Sequence, residues 1–100
     1  MPITSSVNEN TITINISGRF DFSCHKEFRD AYRNTPSGGG NNFIINMSGT
    51  EYVDSSALGM LLLLREHAGS DDSTVTLQGC RNDVKDILVV SNFDKLFNIK

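Results

Sequence analysis

Two serines, Ser55 and Ser56, follow Asp54 where a long apolar segment begins, and either hydroxyl could accept a phosphoryl group. Aspartate favours the first position of a helix because its carboxylate accepts free backbone amide protons. A phosphate on the first turn would meet unpaired amides and the positive end of the helix dipole. It would cost the fold little but add about two negative charges, enough to expel a docked partner. The physical chemistry of this position therefore suits a phosphorylation switch.

The same residues also allow less specific roles. Serine is common at helix starts, so Ser55 can be an ordinary solvated residue. Ser56 can accept the phosphate instead, or hydrogen-bond locally. Asp54 fits a helix cap and local charge better than a catalytic base, because no activated nucleophile accompanies it. Asp21, which also precedes a predicted helix, either caps a turn or contacts a partner.

The composition limits the classes of function. The chain has 100 residues and a net charge of -3, which fits one domain over residues 1–100. No dense basic stretch is present, so neither nucleic-acid binding nor a polybasic membrane anchor is expected. The longest apolar run, residues 57–64, is far shorter than the roughly 20 residues that a membrane span needs.

The N-terminus and the cysteines indicate where the protein resides. The first six residues lack the charged and apolar regions of a signal peptide, so a cytoplasmic protein is expected. Cys24 and Cys80 are then expected as reduced thiols. Their spacing matches no metal-binding motif, and the sequence predicts neither a metal nor a cofactor.

Hydrophobic periodicity predicts the elements that hold the serine segment. Residues 11–17 alternate as a half-buried strand, and residues 3–7 are a candidate hairpin partner. Residues 42–47 include Phe43, Ile44 and Ile45 in succession, which predicts a central strand in a sheet covered by helices. Residues 74–77 predict a further strand. Residues 96–99 are apolar and fit either a strand or a short helix.

Three helices are predicted between these strands. The first begins at Ser23 as its N-cap and ends near Asn34, with a flexible turn after it at residues 36–40. The second spans residues 55–68 and the third residues 81–91. The side chains that they are expected to bury are Phe28, Ala31 and Tyr32, then Ala57, Met60, Leu61, Leu64 and Ala68, then Val84, Ile87 and Leu88.

The order of these elements predicts an α/β fold with a mixed, mostly parallel sheet, one antiparallel edge strand and helices packed on it. Parallel strands end at the same edge of a sheet, and ligands or partners meet them there. Asp21 and Asp54 both follow such strand ends, so we expect them on one rim.

The second helix has an unusual apolar outer side. Ser55, Gly59, Leu62 and Glu66 share the stripe opposite the predicted core face, and Leu63 lies beside it. Leu62 and Leu63 either pack under a neighbouring loop or form an exposed patch that docks a partner. Gly59 weakens the helix but would allow another backbone to approach closely.

Residues 54–59, Asp-Ser-Ser-Ala-Leu-Gly, resemble the D-S-[ST]-[AG]-L-G signature of bacterial anti-sigma factor antagonists, which are members of the STAS domain family. Residues 18–21, Gly-Arg-Phe-Asp, resemble the family's G-x-[LF]-D turn, and the resemblance extends over the whole chain. Ala57 stands where many members have glycine. Residues 18–23 and 60–65 resemble a proteobacterial subgroup that controls motility, biofilm formation or stress responses.

The resemblance implies a non-enzymatic partner-switching regulator. Its unphosphorylated form would bind an anti-sigma factor or a switch-kinase-type effector. A serine kinase would phosphorylate Ser55 and a PP2C-like phosphatase would restore it. The partner-binding residues would be Asp21, Asp54, Ser56, Gly59, Leu62, Leu63 and Glu66.

Two other functions stay open on the sequence. One is a STAS adaptor subunit of a larger assembly, such as a transport complex, without phosphorylation. The other is an aspartyl-phosphate receiver domain, because Asp54 follows a strand in an alternating fold. Receivers need an acidic pair after the first strand, whereas Asp21 stands alone.

Overall fold

The computed structural model describes residues 3–33, 42–69 and 74–100. The predicted helix end at Asn34 and the predicted turn at residues 36–40 lie outside these ranges. The strands are β1 (Ile3–Asn8), β2 (Thr11–Phe20), β3 (Asn42–Val53), β4 (Thr74–Gln78) and β5 (Asn98–Ile99), and the helices are α1 (His25–Arg33), α2 (Ser55–His67) and α3 (Asn82–Val90).

The five strands form one sheet in the order β1-β2-β3-β4-β5. β1 pairs with β2 antiparallel, and all later neighbours are parallel. The predicted mixed sheet with an antiparallel edge strand is therefore confirmed. Because the order of the parallel strands never reverses, right-handed crossovers carry every helix to the same face.

One face of the sheet holds the whole core. Ile12, Phe43 and Val75 lie side by side in register and are all buried, as are the next row of Ile14, Ile45 and Leu77. These strand residues join the buried side chains of α1, α2 and α3 in one hydrophobic cluster.

The other face of the sheet is open, contrary to the expectation for β3. Ile44 is only half-buried, and its neighbours in register are Thr13 and Thr76. Polar side chains bond across this face, with Asn46 Nδ2 donating to Asn15 Oδ1 at 2.9 Å. The three consecutive apolar residues of β3 therefore do not indicate helices on both faces of the sheet. Because the order of the parallel strands never reverses, the described helices all lie on the other face.

β2 and β3 both continue past the ends predicted from their alternation, at Ser17 and Met47. Their register shifts between Asn15 and Ser17 and again between Gly18 and Arg19, and β3 contributes one extra residue each time. Such bulges break the period of two. Inward-facing residues of β3 consequently fall at Met47, Thr50 and Val53, three apart, which alternation cannot reveal.

Two details of the helices also differ from expectation. The N-cap before the first helix is Asp21, not Ser23, and a 3-10 turn over Phe22–Cys24 leads into α1. On α3, Val84 and Leu88 are buried but Ile87 is 38% exposed, so the buried stripe is narrower than its periodicity indicated. The buried face predicted for α2 is confirmed at all its positions.

The C-terminal segment combines both structures that its sequence left open. A 3-10 turn over Phe93–Lys95 buries Phe93, and the two residues of β5 then pair with β4. Its short strand completes the edge of the sheet beside β4.

Thr50 of β3 is a polar residue whose side chain is buried. Its Oγ1 donates a hydrogen bond to the carbonyl oxygen of Ile16 at 2.9 Å. Thr50→Val keeps the shape but removes this bond across the bulged β2–β3 pair. We expect it to lower the free energy of unfolding by about 1 kcal/mol in urea denaturation. Thr76→Val, on the open face, is the control and should stay within about 0.5 kcal/mol of the wild type. Equal stability of the two variants would show that the Thr50 bond contributes nothing.

Candidate partner surface and switch serine

Asp54 is the N-cap of α2 and holds its first turn by hydrogen bonds. Its Oδ1 accepts the amide proton of Ala57 at 2.8 Å and the hydroxyl proton of Ser56 at 2.7 Å. The Ser56 side chain is therefore turned back onto the cap and half-buried, whereas Ser55 is exposed. The local hydrogen bond expected as the alternative role of Ser56 is present, and the two serines have different surroundings.

Asp21 repeats this arrangement at the neighbouring strand end. Its Oδ1 accepts both the amide and the hydroxyl proton of Ser23. Phe20 and Val53 are paired across β2 and β3, so Asp21 and Asp54 each follow a strand end at the same level of the sheet. The predicted shared rim is present in the structure.

The two turns share their cap and their serine, although Asp21 accepts the amide proton of the second residue after it and Asp54 that of the third. Each has an aspartate cap and, two positions later, a serine that bonds back to it. The residue between them points outward in both turns: it is Ser55 in one and Phe22, 64% exposed, in the other. The Phe22 ring stacks on the His25 ring with centroids 4.5 Å apart. An exposed aromatic ring thus occupies the position that corresponds to Ser55.

A second exposed group on this rim joins the two strands. The Arg19 guanidinium lies over the Tyr52 ring at 4.3 Å, and its Nε is 3.6 Å from Asp21 Oδ2. Sequence reasoning missed Arg19, Phe22 and Tyr52 as surface residues. The sequence shows only that Arg19 and Phe22 lie close to Asp21 and that Tyr52 lies close to Asp54. It does not show which side chains are exposed, because bulges interrupt the alternation of inward and outward residues.

The outer stripe of α2 is exposed as expected. Ser55, Gly59, Leu62 and Glu66 all face solvent, and Leu62 and Leu63 are 38% and 57% exposed. The alternative in which both leucines are packed away does not hold in the described structure. We define Ser55, Gly59, Leu62, Leu63 and Glu66 as the α2 stripe.

Comparison with known proteins assigns this architecture to a family. The family described as "Mlab, STAS domain" matches residues 3–98. A STAS-domain containing protein of Pseudomonas aeruginosa strain UCBPP-PA14 is 45% identical over 104 residues, covering 99% of each chain. The chain belongs to the STAS domain family. The resemblance noted in residues 18–21 and 54–59 is thereby confirmed at the level of the family.

Solved structures share the STAS fold of this chain at low sequence identity. An anti-sigma factor antagonist from Mycobacterium paratuberculosis superposes with a TM-score of 0.76 and 15% identity, covering 97% of this chain and 82% of that one. Unphosphorylated SpoIIAA, also an anti-sigma factor antagonist, gives a TM-score of 0.71 and 16% identity, covering 98% and 86%. These superpositions show a shared fold, which a sulfate transporter family protein from Wolinella succinogenes also has, with a TM-score of 0.70 and 18% identity, covering 93% of this chain and 80% of that one.

Gly59 has no packing role among the described residues of this STAS domain. A Cβ built at this position meets none of their atoms within 4 Å. Glycine in a helix costs about 1 kcal/mol relative to alanine. The fold itself therefore gives no reason for glycine here, and the flat surface that it leaves lies between Ser55 and Leu62 on the α2 stripe.

Hydrogen bonds keep both rim carboxylates ionised. The Ser56 hydroxyl and then the Ala57 amide hold the pKa of Asp54 below its ordinary value of 3.8. Ser23 does the same for Asp21, with a smaller contribution from Arg19. Each hydrogen bond favours the charged form, because a carboxylate is a stronger hydrogen-bond acceptor than a carboxylic acid. At neutral pH the rim therefore carries two carboxylates, Asp21 and Asp54, and one guanidinium, Arg19, which lies beside Asp21.

Some site chemistries have no residues to support them in the described ranges. Within residues 3–33, 42–69 and 74–100, no three His, Cys, Asp or Glu side chains converge as metal ligands. In the same ranges no helix is long and apolar enough to cross a membrane. The observed rim has two carboxylates that cap helices, an exposed hydroxyl and exposed aromatic rings.

The depressed pKa of Asp54 predicts a pH-dependent contribution to stability. A carboxylate with a lowered folded pKa stabilises the fold above its unfolded pKa, and this stabilisation is lost as the pH falls through the folded value. Asp54→Asn keeps a capping side chain without the charge. We expect it to be less stable than the wild type in urea denaturation at neutral pH, with the difference shrinking as the pH falls below 3.8. Asp86→Asn, on the exposed side of α3, is the control. A difference that does not change with pH would rule out the charged cap as its source.

Proposed function

We propose that this STAS domain is an anti-sigma factor antagonist that works by partner switching. With Ser55 unphosphorylated, the rim and the α2 stripe bind an anti-sigma factor or a switch-kinase-type effector. A serine kinase adds phosphate to Ser55, the effector is released, and a PP2C-like phosphatase reverses the step. The observation that carries this proposal is the exposed Ser55 hydroxyl on the first turn of α2, beside exposed apolar side chains.

The surroundings of the two serines favour Ser55 as the phosphoacceptor. A kinase must reach the hydroxyl oxygen, and Ser55 is exposed while Ser56 donates to Asp54 at 2.7 Å. Phosphorylation of Ser56 would remove a hydrogen bond from the helix cap. Phosphorylation of Ser55 leaves the cap intact. SpoIIAA, which shares the fold, has been solved in both unphosphorylated and phosphorylated forms.

Electrostatics explains how the phosphate would act. The first turn of α2 provides free amides and the positive end of a dipole, so a dianion there is compatible with the fold. Before phosphorylation, the Asp21 and Asp54 carboxylates outnumber the Arg19 guanidinium on the rim by one charge. About two further charges would make it strongly repulsive to any carboxylate of the effector. The phosphate therefore acts on the docked partner and leaves the fold unchanged.

The same arrangement supports a regulator that performs no catalysis of its own. Both rim carboxylates serve as helix caps, and neither lies beside an activated nucleophile in the described structure. The chain instead serves as the substrate of a kinase and a phosphatase. Because the kinase draws on ATP, we place the protein in the cytoplasm.

Charge substitutions at Ser55 test the switch. Ser55→Asp and Ser55→Glu should weaken the effector complex by at least about tenfold, because a carboxylate on the first turn repels the partner. Ser55→Ala should bind like the unphosphorylated wild type and should not be released by the kinase. Affinity capture with mass spectrometry identifies the effector, and calorimetry with the purified pair measures the dissociation constants. Intact mass shows the phosphorylated fraction.

A matched control separates the switch from a general effect of charge. Ser6→Asp adds the same charge on the exposed edge strand β1 and should leave binding unchanged. If Ser55→Asp and Ser55→Ala both bind the effector as the wild type does, the switch is refuted. A stable complex with a transport assembly and no phosphoserine would instead support the adaptor function.

The α2 stripe makes a separate prediction about docking. Leu63→Ala removes a side chain that is 57% exposed and should change folding stability little, whereas Leu62 is 38% exposed and Leu62→Ala should cost more stability, so binding is compared between variants shown to be folded. Each should weaken the effector complex by about tenfold if the leucines enter the interface. Val90→Ala removes a more exposed side chain, 83%, from α3 and serves as the control. Equal binding by all three variants would exclude the stripe from the interface.

A further inference from the structure

A row of cations lies along one side of α1. Lys26, Arg29 and Arg33 are spaced by three and four residues, which places them on the same side of the helix, and all three are exposed. The chain as a whole has 9 Lys and Arg residues and a net charge of -3. This acidic protein thus has a third of its permanent cations on one nine-residue helix.

The stability of α1 does not account for the row. Cations stabilise the last turn of a helix and destabilise the first, because of the helix dipole. Arg33 lies in the last turn and fits that rule. Lys26 lies in the first turn, where it is unfavourable, and Arg29 lies in between. The helix dipole therefore accounts for Arg33 alone.

The row borders a cleft between α1 and α2. This cleft has a volume of about 530 Å³ and is lined by Arg29, Tyr32 and Arg33 from α1 and by Leu63, Glu66 and His67 from α2. The Tyr32 and His67 rings form its floor, with centroids 5.1 Å apart and an edge-to-face angle of 61°. Arg33 is 58% exposed and only 3.8 Å from Asp30, an exposed pair that water screens. The charged residues that line the cleft are two arginines and one glutamate, a net charge of +1, and the Asp30 carboxylate that pairs with Arg33 lies outside this lining.

From this geometry we infer that the α1–α2 cleft docks an acidic amphipathic helix of the protein partner. Arg29 and Arg33 are one helical turn apart, so they match carboxylates spaced by four residues on a facing helix. Leu63, with Leu62 on the same exposed side of α2, provides an apolar surface for that helix's hydrophobic side. A partner helix with Asp or Glu on one side and leucine-like residues on the other satisfies both halves of the cleft.

This inference rests on the proposed function and extends it. Leu63 and Glu66 belong to both the cleft and the α2 stripe, so the two surfaces are continuous. The distance along α2 from Ser55 to Glu66 is about 16 Å at 1.5 Å per residue. The switch serine and the cleft thus lie at opposite ends of one docking surface, and each can be changed without touching the other.

Synthetic peptides test the chemistry of the cleft without the effector. Two amphipathic helical peptides with identical leucine faces are compared, one with glutamates and the other with lysines on its polar face. Each is titrated into the ¹⁵N-labelled chain and followed by NMR. The acidic peptide should shift the amide signals of Arg29, Arg33 and Leu63, and high salt should weaken its binding. The basic peptide should leave these signals in place.

Two results would overturn the inference. One is equal binding, or no binding, of the two peptides at the cleft. The other is displacement of the acidic peptide by inorganic phosphate or ATP at the peptide's own binding concentration, which would make the cleft a small-anion site. Persistence of the peptide shifts in the presence of both anions supports a helix-docking cleft.

Charge reversal in the effector complex then places the cleft within the full interface. Arg29→Glu with Arg33→Glu should weaken the complex by about tenfold or more. The matched control is Arg81→Glu with Lys85→Glu, an exposed pair of the same spacing in which Arg81 is the N-cap residue of α3 and Lys85 lies within the helix. Wild-type binding by the α1 double variant, together with loss of binding in Ser55→Asp, would refute the cleft and leave the switch standing. The reverse pattern would refute the switch alone.

Discussion

The parallel pairing of β2 with β3 sets the position of every rim residue. Phe20 lies opposite Val53 at the ends of these strands, so the turns that follow begin level with each other. The two bulges that precede this pair belong to β3, and they allow the longer strand to end in register with the shorter one. Asp21 and Asp54 then cap their helices on the same rim. An error of one residue in this register would move Ser55 away from Phe22 and Arg19.

The one-sided sheet explains why α2 has an exposed outer stripe. With all three helices on one face, α2 buries Ala57, Leu61 and Leu64 against the sheet and nothing covers its opposite side in the described structure. A soluble domain normally places polar residues there. Leu62 and Leu63 instead remain exposed, and Gly59 weakens the helix without serving the packing. The residues of the α2 stripe thus lower the stability of the isolated domain, and they form an exposed apolar surface suited to contact.

Sequence reasoning succeeded where a residue's surroundings are set by its near neighbours. The strand and helix types, the buried face of α2 and the neighbouring positions of Asp21 and Asp54 all follow from periodicity and strand order. It failed where the outcome depends on distant pairing. The continuation of β3 to Val53 requires bulges against β2, and the exposure of Ile44 requires knowledge of which face the helices cover. The cleft was missed because Arg29 and His67 meet only after α1 and α2 pack together.

The separation of Ser55 from the α1–α2 cleft limits how a phosphate could act on the proposed interface. About 16 Å lies between Ser55 and Glu66 along α2, roughly twice the screening length of about 8 Å at physiological salt. A phosphate on Ser55 therefore leaves the attraction between Arg29, Arg33 and an acidic helix almost unchanged. In the proposed switch, release would therefore come from repulsion at the rim, where a partner would meet the phosphate beside Asp21 and Asp54. Contacts this far apart contribute nearly additively to the binding free energy. In the proposed interface the cleft would therefore determine which partner binds, and the rim would determine when that partner is released.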